Sequence, residues 1–341
     1  MNPKTKKRRF EVAFAIFVLI LPHAVRSVEN TLPLKFVADI PLPGRTTRFD
    51  YESIDPTTRR LYLAHLGDST VTVIDIAAQR VVGIVKNIGH VHGVLAIPTL
   101  GCIYASATLT NEVVAIDEKN MEIVARIPGG NYPDGIAFAA DLHRLYISDE
   151  AGKTETVIDT ATEQFIATIA LQSVAGNSQY DPHSKHIFVA GQSLNQLIEI
   201  DPLTNAVIAR HAVHEADRPH GLLIDATSNL AFVACEGNDR LVVFDLQSMR
   251  STGSFPVGGD PDVLAYDAGL NRLYVAGEQG VVSVFIVVGR SVQKLGEAFL
   301  APNAHVVGID PQTHLVYFPL KDIGGRPVLR VMAPTVGASP Q

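Results

Sequence analysis

The sequence predicts an all-β chain folded as a single seven-bladed β-propeller, closed by an N-terminal strand in its last blade. Three observations carry that expectation. The cores Arg60-Leu61-Tyr62-Leu63-Ala64, Arg144-Leu145-Tyr146-Ile147-Ser148 and Arg272-Leu273-Tyr274-Val275-Ala276 recur, and alignment on their aromatic extends the series to Tyr62, Tyr104, Tyr146, Phe188, Phe232, Tyr274 and Tyr317, spaced 42 to 44 residues apart. A second marker, an apolar residue followed by Asp, falls thirteen residues after the first five aromatics, at Asp75, Asp117, Asp159, Asp201 and Asp245. The third observation lies at the ends. Unit seven supplies stretches near 306–309, 315–318 and 328–331 and then runs out, while residues 35–41 resemble the fourth-strand stretch 122–128 of unit two.

The N-terminus reads as an address. Lys4, Lys6, Lys7, Arg8 and Arg9 precede a ten-residue apolar run at 12–21, with a cleavage site after Ser27. Ten residues are too few for a helix that needs about 20 to span a bilayer. Residues 1–27 are therefore expected to be a signal peptide, by the general or the twin-arginine route, leaving 28–341 as an exported protein without a transmembrane anchor. Periplasmic or secreted localisation follows. Removing 1–27 leaves 22 basic against 34 acidic residues, a net charge of −12, which disfavours nucleic acid as a partner.

Within a unit, short apolar and β-branched runs alternate with turn-rich stretches. Unit three shows them at 136–138, 145–148, 156–158 and 165–169. Four short strands per unit of about 40–45 residues is the blade pattern; helical repeats of that length would show spacings of three and four over longer windows. The apolar-Asp series precedes a turn in each of the first five units and is expected to be structural. Unit six departs with Phe285-Ile286, which puts its outer turn in question. The repeats occupy 34–332, and 333–341 are expected to be a loose tail. Cys102 and Cys235 belong to units two and five, far apart in a ring, so two unpaired thiols are expected.

These units resemble the YVTN-type repeat of exported bacterial propellers, the YncE-like family. The resemblance rests on Arg-Leu-Tyr-Ile-Ser-Asp at 144–149 and Val-Ile-Asp-Thr-Ala-Thr at 157–162 and covers 34–332. It implies a seven-bladed ring outside the cytoplasm with ligand- or partner-binding roles.

The candidate functional residues come from phase. Twelve residues before each core aromatic stand Asp50, His92, Asp134, Gly176, His220, Asp262 and His305, all expected at one mouth of the central channel. Four residues after the aromatics stand Leu66, Thr108, Glu150, Gln192, Glu236, Glu278 and Lys321, on the same face. Imidazole and carboxylate are both good ligands for divalent transition metals, so His92, Asp134, His220, Asp262 and His305 form the candidate metal set, and a divalent metal in the channel is the candidate cofactor. Asp50, Tyr51, His65, Glu150, Glu236 and Glu278 form the candidate ligand-binding set. The competing role for the Asp residues is hydrogen bonding to the neighbouring blade's backbone.

The expected function is a monomeric binding module for a small molecule, metal or protein partner at the channel mouth. The alternative is a metal-dependent hydrolase or lactonase, although the Glu, two Asn and Asp of six-bladed lactonases do not map onto these units. An accessory role in quinone- or copper-dependent oxidation has no residue signature here. No GxSxG or phosphate-loop motif occurs.

Overall fold

The computed structural model describes residues 31–335, so the leader read in residues 1–27 lies outside the described residues, as do 336–341. Seven four-stranded antiparallel sheets make up the described chain. Blades one to six occupy residues 52–85, 91–128, 133–170, 175–212, 219–256 and 261–299. Blade seven combines Gly308–Ile309, Val316–Leu320 and Val328–Pro334 with the N-terminal Leu34–Pro41 as its outermost strand. Among the described residues no helix is long and apolar enough to cross a membrane.

The core motif works through alternation. In Arg60–His65, the second strand of blade one, Leu61 and Leu63 join the apolar cluster shared with blade seven, whereas Tyr62 and Ala64 join the one shared with blade two. The same division holds around the ring, and each buried cluster spans one pair of neighbouring blades. Arg and Tyr of the motif also tie blades one, two and three to the blades that follow them. Tyr62 donates its hydroxyl to Glu118 Oε1 at 2.8 Å and Arg60 donates to the Glu118 carbonyl at 2.7 Å. Tyr104 reaches Glu163 at 2.7 Å and Tyr146 reaches Asn205 at 3.0 Å, so these three tyrosines end on the outer hairpin of the following blade.

Those hairpins explain the Ile-Asp series. Asp117, Asp159 and Asp245 accept backbone N–H groups two and three residues on, while Asp75 and Asp201 accept one each. Each turn then ends on a left-handed residue, from Gln79 to Met249. Blade six, lacking the Asp, extends its hairpin instead: Ile286, Val287 and Val288 pair with Gln293, Val292 and Ser291, and Gly289 takes a φ of 61°. Cys102 and Cys235 are buried, free, and in different inter-blade clusters.

Two boundaries differ from the sequence expectation. The innermost strand of blade seven shrinks from 306–309 to Gly308–Ile309, because only those two residues pair with Val316 and Tyr317. The supposed tail from 333 begins inside a strand, since Ala333 and Pro334 pair with Lys35 and Leu34. Closure is thus longer than the sequence suggested. Deleting 34–41 removes the partner of Val328–Pro334 and leaves an open apolar edge. The expected outcome is a drop in Tm of at least about 10 °C with aggregation on heating; an unchanged melting curve would refute closure by this strand.

One buried carboxyl sets a pH dependence. Glu155, fully buried in blade three, accepts from Ser178 at 2.7 Å and has no partner for Oε2. Burial pushes it up to about 8 from the usual 4.5, only partly offset by Ser178. The folded state therefore holds the proton more tightly than the unfolded chain. Its stability contribution is complete below about pH 4.5 and is lost as pH rises to about 8. E155Q is expected to match the parent in chemical denaturation at pH 5 and exceed it by about 2–4 kcal/mol at pH 9. Equal stability differences at both pH values would show that Glu155 carries no such linkage.

Candidate functional site: an acidic channel mouth

The residues twelve before each aromatic reach the mouth because the innermost strands are bulged there. Register slips between Val91 and Val94, Pro133 and Ile136, Pro219 and Leu222, and Pro261 and Val263. A bulge takes its residues out of the ladder and re-aims their side chains. The released residues are His92, Asp134, His220 and Asp262. Three are followed by glycine, and for a steric reason: a Cβ at Gly93 or Gly221 would collide with the backbone carbonyl of Asp134 or Asp262 in the next blade.

These residues line a cavity of about 660 Å³ together with Arg48, Asp50, Tyr51, His90, Tyr132, Glu150, Glu236 and Glu278. Tyr51 is its floor. From blade one it crosses the channel to donate its hydroxyl to Asn177 Oδ1 of blade four at 2.8 Å. Burial, then the nearby Asp262, Asp134 and Asp50 carboxylates, raises the Tyr51 phenol well above its ordinary range, so it stays a neutral donor. Gly176, the blade-four member of the twelve-before ring, brings no side chain there, because a Cβ would meet the backbone of His220.

One arc of the mouth is a network of charges. Arg48 reaches Glu278 at 2.6 Å, Asp50 at 3.2 Å and Asp262 at 3.9 Å. Burial alone would lower the guanidinium's pKa, but Asp50, Glu278 and Asp262 raise it further, and the charge is held. Asp262 also has His220 Nε2 at 3.3 Å and His305 Nε2 at 3.8 Å. Burial would raise Asp262, yet His220, then His305 and Arg48, hold it below the ordinary carboxylate range. In return, Asp262 and Glu236 overcome the burial of His220 and lift it to about 10. His220 Nδ1 lies 3.6 Å from Glu236 and 2.9 Å from the Gln192 amide, whose oxygen can turn to accept from the imidazolium.

The opposite arc is short of positive charge. Asp134, only 6 % exposed, has no partner for Oδ1. Burial first, and Asp50 after it, push its carboxyl up to about 7, against the pull of His92 and His220. Glu236 is likewise raised by burial although Arg218 pairs with it at 2.6 Å. His92 is oriented by its surroundings. Its Nδ1–H is shared by the His90 carbonyl at 2.9 Å and Thr108 Oγ1 at 2.7 Å, and Thr108 donates onward to the Pro133 carbonyl. His92 Nε2 therefore faces the Tyr132 hydroxyl at 3.2 Å as an acceptor.

Nine of the eleven sequence-chosen residues line this cavity, and two stand behind its wall. His65 is buried beneath residues 47–49, with Thr47 Oγ1 at 2.9 Å and the Phe49 ring at 4.2 Å, because the segment entering blade one folds over it. His305 is fully buried and gives Nδ1–H to the Asn303 carbonyl at 3.0 Å. It reaches the site only through Asp262.

Sequence reasoning missed Arg48, His90 and Tyr132. Their signal was present: fourteen residues before each aromatic stand Arg48, His90, Tyr132, Val174, Arg218, Asp260 and Asn303. His90, Tyr132, Arg218, Asp260 and Asn303 all have φ between 45° and 64°. Four of these left-handed residues are anchored by their N–H to the preceding blade: His90 to Ser69, Tyr132 to Asn111, Arg218 to Asn195 and Asp260 to Asp239. The rim is thus held in a conformation costing about 1–3 kcal/mol per residue, by bonds that repeat around the ring.

No protein-family model and no curated protein matches the sequence. Solved structures do. The chain is similar to a Kuenenia stuttgartiensis hydrazine synthase chain at 15% identity and a TM-score of 0.70, over 82% of this chain and 94% of that one. It is similar to U3-55K at 10% identity and 0.75, over 87% and 98%, and to the RRP9 WD40 repeats at 10% and 0.74, over 88% and 99%. At such identities the likeness shows the seven-bladed propeller fold and nothing about ligand or activity.

Proposed function

We propose that this chain is an exported propeller-type binding module whose channel-mouth cavity takes a small cationic ligand. One observation carries the reading: a buried Asp134 with an unpartnered oxygen, pushed up to about 7, faces a cavity lined by six carboxyl groups against two cations, the Arg48 guanidinium and the His220 imidazolium. Carboxyls crowded this way favour any cation that can enter. Tyr132, tilted against His92 with ring centroids 5.2 Å apart, adds an aromatic face of the kind that binds ammonium groups. The volume, about 660 Å³, suits a small molecule rather than a bare ion. The likeness of the repeats to the YncE-like family, the export signal in 1–27 and a periplasmic or secreted location belong to the same proposal.

A second reading, metal-dependent hydrolysis of a small ester or lactone, is favoured by the two histidines whose Nδ1–H groups bond backbone carbonyls. Those bonds orient both rings and aim Nε2 of His92 at the Tyr132 hydroxyl and Nε2 of His305 at Asp262, the outer-shell arrangement that positions a ligating histidine.

The test uses putrescine and spermidine, with glutarate as the anionic counterpart, in calorimetry and thermal shift on the purified protein. Amines are expected to bind and raise Tm, with Asp134→Asn and Glu150→Gln each weakening binding at least about tenfold. Binding of glutarate in preference to either amine would overturn the reading and make Arg48 an anion anchor.

A further inference from the structure

Resting on that reading of the mouth as a cation site, the geometry points to a divalent transition-metal site at its blade-six and blade-seven corner, formed by Asp262, Glu278 and His305, with Arg48 as the competing internal cation. One ligand atom from each of the three residues lies within 4.8 Å of the others. Around an octahedral ion with bonds of about 2.1 Å, neighbouring ligands stand about 3 Å apart and opposite ones about 4.2 Å, so the three atoms must draw together by side-chain rotation to share one ion.

The independent observation is His305. Its side chain is fully buried, its Nδ1–H is committed to the Asn303 carbonyl at 3.0 Å, and its Nε2 has no hydrogen-bond partner while pointing at Asp262 Oδ2 from 3.8 Å. A buried imidazole nitrogen without a partner costs free energy that a metal–nitrogen bond would recover. The backbone carbonyl on Nδ1 is the outer-shell partner that orients a ligating histidine and raises its basicity. Asn303 holds that carbonyl in place from a left-handed φ of 62°. Asp262 and Glu278 supply hard oxygens. Asp262 is buried at 6 % side-chain exposure and Glu278 is open at 39 %, so the site would be walled behind and exposed to the cavity in front.

Arg48 decides whether an ion is admitted. Its guanidinium holds Glu278 at 2.6 Å and stands 3.9 Å from Asp262, neutralising the two carboxylates an ion would need. A metal can enter only if Arg48 turns away, and its side chain, 35 % exposed, has cavity space to do so. The site would thus exchange one internal cation for an external one.

The experiment titrates Zn(II) and Mn(II) separately into protein dialysed free of metal, by calorimetry and metal analysis, with putrescine titrated in parallel. The expected result is one ion per chain, weakened at least about tenfold in Glu278→Gln and His305→Gln and tightened about tenfold in Arg48→Gln, where the competing charge is gone. Glu278→Gln alters an open side chain, so it reads the site even if the buried His305→Gln fails to fold. Unchanged metal binding in Glu278→Gln, or no binding by either the parent or Arg48→Gln at millimolar ion, overturns the inference. Putrescine binding without metal binding overturns the metal site alone, whereas loss of both responses also removes the cation-cavity reading.

Discussion

A four-stranded blade has two apolar faces and no means of covering either by itself; the structure depends on each blade using its neighbours for both. Eight to fourteen buried apolar side chains fill each of the seven junctions. At about 1.5–3 kcal/mol for each fully buried large side chain, a junction outweighs by an order of magnitude a tyrosine tether worth about 1 kcal/mol. The tethers nevertheless set geometry. Tyr62, Tyr104 and Tyr146 fix which hairpin of the next blade lies over which strand, and the packing then has one register to fill. Tyr274 and Tyr317 keep buried hydroxyls without partners, and at Phe188 and Phe232 the same position carries no hydroxyl, so the tyrosine tether is missing there; Arg59 with Asp310, His314 with Asp267 and Lys294 with the Pro256 carbonyl cross three of those four junctions instead.

The mouth is built against that economy. Bulges in the innermost strands give up ladder bonds, left-handed rim residues hold strain, and carboxyl groups are taken out of water. Buried charges of this kind contribute little net stability, because desolvation consumes most of the attraction between partners. Their arrangement is uneven in a way that folding does not require. Blades five, six, seven and one balance acid with Arg48, His220 and His305, while Asp134 in blade three faces the cavity with an open oxygen. Charge left unbalanced on one side of a closed-floored cavity is the physical basis for reading it as a receptor for cations.

The sequence by itself determined the blade count, the strand order and the closing strand, because these depend on local periodicity and on which segments lack a partner. Alternation at period two assigned Leu61 and Tyr62 to opposite neighbours, and Asp117 or Asp245 before a turn forecast the hairpins they build. It also found the ring of residues twelve before the aromatic, since duplication keeps equivalent positions in phase. What it could not reach was direction. His305 shares the phase of the mouth residues and His65 stands one position before the four-after series, yet one lies behind Asp262 and the other under residues 47–49. Side-chain direction at a bulge or in an entering loop depends on contacts between segments far apart in the chain, such as Arg48 with Glu278 or Tyr51 with Asn177. Only ring closure brings those pairs together, and so the tertiary structure alone decided which charges meet, which tyrosine floors the channel and which carboxylate is left without a partner.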